Sequence, residues 1–330
     1  MNKNTLKDRH GRTLNYLRLA VTDRCNLRCF YCMPEEGIQF TSRENLLSYE
    51  EMLRLLSITA SMGVNKVRIT GGEPFVRKNM VDFMHNVSRI EGIDTLNLTT
   101  NGTMSADIVP ELKKMGIKSV NLSLDSLDRN RFFEITRRDL FENVMQTLDK
   151  LLEHGMQVKI NAVVMEGRNI EDLIPLAQLT KNQEINVRFI EEMPFNGTGR
   201  QYENFKWNHK AIEQYLRENL PEMTALPFIP TATANEFNIK GHQGKIGIIA
   251  AYTRSFCGTC NRLRVTPQGT LKTCLYDKGV FNIKDFLRAG ATDEEMRKLF
   301  QEAVAGKAKD GFEAEAKRGK VFESMTSIGG

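Results

Sequence analysis

The sequence lacks a long hydrophobic run. The chain has 330 residues and is 41% hydrophobic, yet no stretch approaches the roughly 18 unbroken apolar residues of a transmembrane helix. Residues 1–11 are polar and charged, without the apolar core of a secretory signal peptide. We therefore expect a globular cytoplasmic protein with no membrane partner, large enough for one major core and a smaller appended domain.

An excess of one charge is also missing. The 46 basic and 41 acidic residues are interleaved and leave a net charge of +5. No basic stripe carries the interleaved aromatic residues of a nucleic-acid surface, so we expect no nucleic-acid partner. The sequence shows no internal repeat or low-complexity block.

Cysteine is scarce, and its six residues fall into two groups of three. The first group is Cys25, Cys29 and Cys32, and the second is Cys257, Cys260 and Cys274. Short clustered spacings in a long chain favour metal ligation over disulfides. Three thiolates can hold three corners of an iron–sulfur cube and leave the fourth iron free to bind a small molecule. Buried thiols and structural zinc remain alternatives, although the second group would need a fourth zinc ligand such as His242.

Strand and helix patterns alternate through the first two thirds of the chain. Strands are predicted at residues 16–21, 66–69, 94–99, 119–124, 157–164 and 185–190. Helices are predicted at residues 48–61, 80–87, 106–115, 140–153, 170–179 and 211–219, the first with a capping box of Ser48 and Glu51. Six βα units in series imply a parallel sheet. The fold class is therefore α/β, with an incomplete (β/α)6 TIM-like barrel.

Three prolines mark a break after the barrel pattern, at Pro221, Pro227 and Pro230. We predict a core domain over residues 1–225 and a C-terminal α+β domain over residues 226–330, which covers the barrel opening. The second domain holds the second cysteine group and ends in Gly329 and Gly330.

Several basic residues are predicted to face the barrel interior. Arg262 and Arg264 alternate along a predicted strand and so point to one face, beside the second cysteine group. Two guanidiniums suit a phosphate-rich substrate, although a solvated strand face is the alternative. Together with Arg18, Arg68 and Lys159 they indicate a cationic cavity that an anion must neutralise.

The first cysteine group resembles the motif of the radical S-adenosylmethionine superfamily. Tyr31 precedes the last cysteine, and Gly71-Gly72-Glu73-Pro74 follows the second strand. The resemblance implies that Cys25, Cys29 and Cys32 hold a [4Fe–4S] cluster that binds S-adenosylmethionine. It further implies cofactor contacts at Tyr31, Gly71, Gly72, Glu73, Ser123 and Met193.

The full set of motifs resembles the GTP 3′,8-cyclase family of molybdenum cofactor biosynthesis. The motifs lie at residues 18–34, 67–74, 99–102, 121–127 and 188–194, in the second cysteine group and at the Gly-Gly end. The resemblance implies a second [4Fe–4S] cluster on Cys257, Cys260 and Cys274, whose open iron binds the guanine of GTP. The implied GTP contacts are Arg18, Arg68, Thr99, Lys159, Arg262, Leu263 and Arg264, with Arg262 and Arg264 also catalytic.

The implied reaction begins when a deoxyadenosyl radical takes the C3′ hydrogen of GTP. The C3′ radical attacks C8 of guanine, and an external one-electron reductant with a proton completes the product. The downstream partner is then the cyclic pyranopterin monophosphate synthase, and a homodimer stays open. The terminal glycines are implied to reach the active site, with a frayed end as the alternative.

Two rival interpretations remain at this point. A radical enzyme that acts on a peptide can also carry an auxiliary cluster in a C-terminal extension. A non-enzymatic zinc or redox-sensing module is the second rival, and metal content separates it from the iron–sulfur interpretation.

Overall fold

The computed structural model describes residues 5–197, 205–318 and 323–329, and within these ranges twelve strands form one sheet. The strands are β1 (Tyr16–Ala20), β2 (Lys66–Thr70), β3 (Thr95–Thr100), β4 (Ser119–Ser123), β5 (Gln157–Val164), β6 (Ile185–Glu191), β7 (Met223–Ala225), β8 (Asn235–Ile239), β9 (Lys245–Ile249), β10 (Arg262–Val265), β11 (Thr270–Lys272) and β12 (Phe281–Asn282). The helices are α1 (Tyr49–Ser61), α2 (Met80–Val87), α3 (Val109–Lys114), α4 (Arg129–Thr136), α5 (Phe141–Glu153), α6 (Leu173–Gln178), α7 (His209–Asn219), α8 (Ile283–Arg288), α9 (Asp293–Ala305), α10 (Gly311–Arg318) and α11 (Met325–Ile328).

The strands β1 to β6 lie side by side in chain order and are all parallel. This confirms the incomplete (β/α)6 barrel. The later part of the chain was expected to cover the opening, and it also lengthens the sheet. β10 pairs parallel with β1, and β9 pairs parallel with β6. Both edges of the six-stranded barrel are therefore paired, which removes the exposed backbone groups of an edge strand.

Alternation along the strands separates the core from the barrel interior. On β5, Val158 and Ile160 are buried in the hydrophobic core, whereas Lys159, Asn161 and Val163 line the interior cavity. Successive side chains of a strand point to opposite faces, so a single strand supplies both. The polar residues of the interior thus follow from the period-two pattern of the sequence.

Local signals fixed several helix ends. Ser48 and Glu51 form the predicted capping box of α1, and α2 has the predicted bounds. The sequence patterns missed α4, which begins with the charged residues Arg129 and Arg131. The Asp128 side chain caps this helix by accepting a hydrogen bond from the Arg131 backbone N–H at 2.8 Å.

The strand just before the predicted domain boundary pairs with strands beyond it. β7 ends at Ala225 and runs antiparallel to β8, which in turn pairs with β9. The boundary at residues 225 and 226 stays a prediction. Among the described residues, no helix has the length and apolar character needed to cross a bilayer.

Glu191 ties the end of β6 to the chain that follows β9. Its carboxylate is fully buried and accepts hydrogen bonds from the backbone N–H groups of His209, Tyr252 and Thr253 at 2.5, 2.8 and 2.7 Å. The Thr253 hydroxyl adds a further bond of 2.8 Å. This rim carboxylate therefore joins the barrel to α7 and to the C-terminal segment.

We predict that Glu191→Ala lowers the free energy of unfolding by about 3 kcal/mol, because it leaves several buried N–H groups without an acceptor. Urea unfolding of the iron-free protein, followed by circular dichroism, measures the change. Glu184→Ala, at an exposed position just before β6, is the matched control and is expected within about 0.5 kcal/mol of the wild type. Equal free energies of unfolding for the two variants would contradict the role given to Glu191.

Candidate active site

A cavity of about 610 Å³ fills the interior of the barrel, and both cysteine groups line it. The predicted site residues that line this cavity are Arg18, Cys25, Cys29, Tyr31, Cys32, Arg68, Gly71, Gly72, Thr99, Ser123, Lys159, Met193, Cys257, Cys260, Arg262, Arg264 and Cys274. Two predicted residues turn away from it. The Leu263 side chain lies in the hydrophobic core because it alternates with Arg262 and Arg264, and Glu73 is fully buried behind the cavity wall.

The two cysteine groups lie at opposite ends of the parallel strands. β1 and β10 are in register, with Tyr16 opposite Arg262. Cys25 follows the carboxyl end of β1, whereas Cys260 precedes the amino end of β10. Cys274 follows β11, which is antiparallel to β10, and so lies at the same end as Cys260. Tyr16 and Ala20 at the two ends of β1 are four steps apart, about 13 Å at about 3.3 Å per step. The cavity therefore runs along the barrel rather than only at its carboxyl rim.

The loop of the first cysteine group closes on itself and on β3. The Cys32 N–H donates to the Cys29 carbonyl at 2.9 Å, and the Arg28 guanidinium donates to the Cys25 carbonyl at 2.7 Å. At the end of β3, Asn101 donates through its side-chain amide to the Asn26 side-chain oxygen at 3.0 Å and to Cys25 Sγ at 3.6 Å. The loop is therefore held in shape by hydrogen bonds that leave its thiols facing the cavity.

Burial dominates the acidity of these thiols. It raises the pKa of Cys25 to about 11, and it raises the pKa of Cys29 and Cys32 as well, helped by the neighbouring thiols and by Asp125. Free thiols here are protonated at neutral pH. A positively charged metal centre would reverse this balance, because it stabilises thiolates directly.

The two glycines after β2 allow the cysteine loop to pack against this turn. A Cβ on Gly71 would lie 2.6 Å from the Thr22 carbonyl oxygen, and one on Gly72 would lie 2.3 Å from the Arg24 carbonyl oxygen. The backbone N–H of Gly72 donates to the Thr22 carbonyl at 2.7 Å, and that of Glu73 donates to the Arg24 carbonyl at 2.9 Å. The glycines thus serve the close approach of the segment that leads into Cys25.

Glu73 supports the next strand rather than facing the cavity. Its carboxylate accepts hydrogen bonds from the Thr100 hydroxyl at 2.8 Å and from the Asn101 backbone N–H at 2.7 Å. Burial raises the pKa of Glu73 to about 7 although these bonds act in the opposite direction. Glu73 positions Asn101, which in turn contacts Cys25.

Tyr31 is fixed in the cavity by a carboxylate. Its hydroxyl donates to Asp125 Oδ2 at 2.8 Å, while Asp125 Oδ1 accepts from the Val163 backbone N–H at 2.8 Å. Burial raises the pKa of Asp125 to about 6. Ser123 and Met193 line the same cavity on β4 and after β6.

The second cysteine group is held by short turns and by buried charges. The Cys260 N–H donates to the Cys257 carbonyl at 3.2 Å, and the Asp277 carboxylate accepts from the N–H groups of Thr273 and Cys274 at 2.8 and 2.7 Å. Burial acts to raise the pKa of Cys260, but Lys307 and Arg262 outweigh it and bring the pKa to about 7. Among the described residues, no three histidine, cysteine or carboxylate side chains are grouped closely enough to hold one metal ion.

Three arginines lie at one level of three adjacent strands. Arg18 on β1 is opposite Arg264 on β10 and Arg68 on β2. Arg68 donates to the Tyr16 hydroxyl at 2.7 Å and to the Leu98 carbonyl at 2.7 Å. In the part of the chain that the structure describes, neither Arg68 nor Arg264 pairs with a carboxylate. The interior therefore holds concentrated positive charge.

The last described residue, Gly329, contacts one of these three arginines. Arg264 Nη1 donates to the Gly329 carbonyl at 2.8 Å, and a Cβ on Gly329 would lie 2.7 Å from Ala20 Cβ. Gly329 thus reaches a cavity-lining arginine. Gly330 lies outside the described residues.

Sequence reasoning missed several cavity residues that carry charge or can acquire it. Lys66 and Arg188 line the cavity on β2 and β6, and Tyr16 lines it on β1. Lys66 and Tyr16 stand two residues before Arg68 and Arg18, so the period-two pattern already placed them on the interior face. Arg188 lies within a motif noted in the sequence, and its ion pair with Glu236 at 3.6 Å is partly buried.

Two family models match consecutive parts of the chain. The Radical SAM superfamily matches residues 19–180, and Molybdenum Cofactor Synthesis C matches residues 185–312. Membership of the first family implies a [4Fe–4S] cluster and S-adenosylmethionine as cofactors.

Solved structures support the fold. Streptococcus suis SuiB has a TM-score of 0.64 at 15% identity, covering 90% of this chain and 67% of that one. The native anSMEcpe structure with bound AdoMet has a TM-score of 0.56 at 16% identity, covering 93% and 84%. At these identities the likeness concerns the fold alone.

Curated relatives extend over nearly the whole chain. Molybdenum cofactor biosynthesis protein 1 of Homo sapiens is 42% identical over 309 residues, covering 92% of this chain and 48% of the relative, so the chain spans about half the length of that protein. The mitochondrial GTP 3′,8-cyclase of Arabidopsis thaliana is 41% identical, covering 92% and 77%. The GTP 3′,8-cyclase of Clostridium perfringens strain 13 is 40% identical over 299 residues, covering 91% and 92%. On these matches, the chain belongs to the GTP 3′,8-cyclase family of radical S-adenosylmethionine proteins.

Proposed function

We propose that this chain converts GTP to (8S)-3′,8-cyclo-7,8-dihydroguanosine 5′-triphosphate, the first step of molybdenum cofactor biosynthesis. The observation that carries the proposal is one cavity with a group of three cysteines at each end and several arginines and lysines between the two groups. A radical source, a phosphate-binding centre and a second metal centre are the three parts that this reaction needs. The family membership supports the same assignment.

The donor set of each end fits an iron–sulfur cube. Three soft thiolates suit a [4Fe–4S] cluster with one iron left open, and a cube spreads them over three separate irons rather than around one ion. In the proposal Cys25, Cys29 and Cys32 hold the first cluster, and Cys257, Cys260 and Cys274 hold the second. When bound, the first cluster and S-adenosylmethionine supply the radical that takes the C3′ hydrogen.

The residues around the first group position S-adenosylmethionine. Gly71 and Gly72 present backbone groups to the cavity beside Cys25, where the methionyl amino group would bind. Tyr31, held by Asp125, would lie against the adenine, and Ser123 and Met193 would also contact the cofactor. Glu73 acts from behind by fixing Asn101.

The cationic residues between the two ends bind GTP. Arg18, Arg68, Arg262 and Arg264 supply guanidiniums for bidentate contacts with phosphate and ribose oxygens. Thr99 and Lys159, predicted from the sequence, line the same cavity, and so do Lys66 and Arg188, which sequence reasoning missed. Leu263 can contribute only through its main chain, since its side chain is in the core. A bound triphosphate would neutralise this charge, and the position of the cavity inside the barrel would limit the access of water to the radical.

Four further predictions concern partners, oligomeric state and compartment. The cyclised product needs an electron, so an external one-electron reductant serves the reaction, and a cyclic pyranopterin monophosphate synthase would consume the product. A homodimer and a cytoplasmic location also stay predictions, and the Arabidopsis relative is named as mitochondrial.

The first test is anaerobic incubation with GTP, S-adenosylmethionine and a reductant, with the product identified by mass. We expect Cys257→Ala, Cys260→Ala and Cys274→Ala combined to lower iron from about eight to about four atoms per chain. The same variant should bind GTP weakly and form no cyclised product, because the guanine loses its metal contact. Unchanged cyclisation would contradict the assignment of the second centre.

The matched control replaces Cys25, Cys29 and Cys32 with alanine. This variant is expected to keep about four irons and most of its GTP affinity, and to lose cleavage of S-adenosylmethionine. The two triple variants therefore separate radical generation from substrate binding.

GTP affinity should fall as pH rises through about 8. Burial, with Arg188 and Arg68 nearby, lowers the pKa of Lys159 to about 8. Burial acts to raise the pKa of Tyr16, but Arg68 and Arg18 outweigh it and bring the pKa to about 8. Above this pH Lys159 loses its positive charge and Tyr16 gains a negative one, and both changes oppose a triphosphate.

Equilibrium binding of GTP between about pH 7 and pH 9.5 should show roughly tenfold weakening for each of the two groups. In the double variant Lys159→Met with Tyr16→Phe, most of this pH dependence should disappear. Retention of the full wild-type slope in the double variant would contradict the assignment of these groups.

A further inference from the structure

Lys307 is a buried cation whose counter-charge is not supplied by any described carboxylate. Its side chain is 2% exposed, and no described acidic group lies within ion-pair distance of it. Lys272, equally buried, illustrates the usual arrangement with an ion pair to Glu323 at 2.9 Å. A buried charge without a partner is strongly unfavourable, so the site of Lys307 calls for an anion.

The Lys307 ammonium lies between the two chain segments that carry Cys260 and Cys274. It donates hydrogen bonds to the Arg262 carbonyl at 3.3 Å and to the Thr273 carbonyl. Arg262 lies two residues after Cys260, and Thr273 immediately precedes Cys274. Among charged groups, Lys307 has the largest effect on the pKa of the Cys260 and Cys274 thiols, and it acts to lower both.

The two cysteine groups differ in the charges around them. At the first group the larger effects of charged residues come from carboxylates, Glu73 at Cys25 and Asp125 at Cys29 and Cys32, and Arg28 opposes Glu73 at Cys25. At the second group cations lead, with Lys307 at Cys260 and Cys274 and Arg262 at Cys260, and Asp277 opposes Lys307 at Cys274. Net charge near a cluster is one of the levers that set its reduction potential.

We infer that Lys307 is a positioning residue for the second cluster, whose buried positive charge stabilises the reduced form and raises the reduction potential above that of the first cluster. The inference rests on the proposed function, because it presupposes a cluster on the second cysteine group. Lys307 acts through that cluster and need not touch GTP. Lys307 is not among the residues that line the cavity, and this distinguishes it from the cavity arginines.

The test uses variants that change charge and hydrogen bonding separately. Lys307→Gln keeps an N–H donor for the two carbonyls and removes the charge, whereas Lys307→Arg keeps the charge. Lys309→Gln, on the same segment but exposed, is the control for a general loss of positive charge. Each is made in the Cys25→Ala, Cys29→Ala, Cys32→Ala background, so that the signal comes from the second cluster alone, and in the full chain.

The measurement is an anaerobic redox titration followed by electron paramagnetic resonance, with iron content determined on the same samples. At a fixed applied potential we expect the ratio of reduced to oxidised second cluster to be about tenfold lower in Lys307→Gln than in the parent. Lys307→Arg and Lys309→Gln should stay near the parent. In the full chain the second cluster should be reduced at a higher potential than the first.

Each other outcome is informative. A Lys307→Gln variant that loses the second cluster while Lys307→Arg keeps it also supports a role for the charge, because both side chains can donate to the carbonyls. The inference is overturned if Lys307→Gln shifts no more than Lys309→Gln, or if Lys307→Gln and Lys307→Arg lose the cluster equally. If the parent binds no second cluster at all, the proposed function fails instead.

Discussion

The constraint on which this site depends is the burial of positive charge inside a parallel barrel. Arg18, Arg68 and Arg264 stand at one level on adjacent strands, and Lys159 and Arg188 add to them from β5 and β6. Like charges in a poorly solvated interior repel and raise the free energy of the folded state unless anions approach. The cavity therefore favours ligands that bring negative charge, as the triphosphate and the thiolate-bound clusters of the proposed function would.

The sheet topology determines where those anions would lie. Because β10 is parallel to β1 and in register with it, the segment before β10 and the segment after β1 lie at opposite ends of the same strands. The C-terminal part of the chain thus pairs with the edge strand β1 of the barrel. It also brings the second cysteine group to the end of the barrel opposite the first. A nucleotide between the two groups would contact arginines of β1, β2 and β10 together. Structure and charge in this way define one elongated site.

Much of this arrangement could be predicted from local patterns. The spacing of Cys25, Cys29 and Cys32, the glycines after β2 and the six alternating strands all depend on neighbours in sequence, and the fold confirms the barrel. The pairing of β10 with β1 could not be predicted, because it joins residues about 250 positions apart and no local pattern specifies a partner strand. Leu263 shows the reverse case, since its alternation with Arg262 and Arg264 already indicated that its side chain would leave the cavity. Lys307 had no local signal, because its importance comes only from the two distant segments it contacts.

The central claim is that one cavity places a nucleotide between two iron–sulfur centres. The most direct measurement is an anaerobically grown crystal with GTP and S-adenosylmethionine, with iron located by its anomalous scattering. The account predicts two iron clusters at opposite ends of the β1–β10 pair, with the triphosphate on the interior arginines and lysines and the purine beside the second cluster. Iron at one end only, or a nucleotide bound outside the barrel, would contradict it.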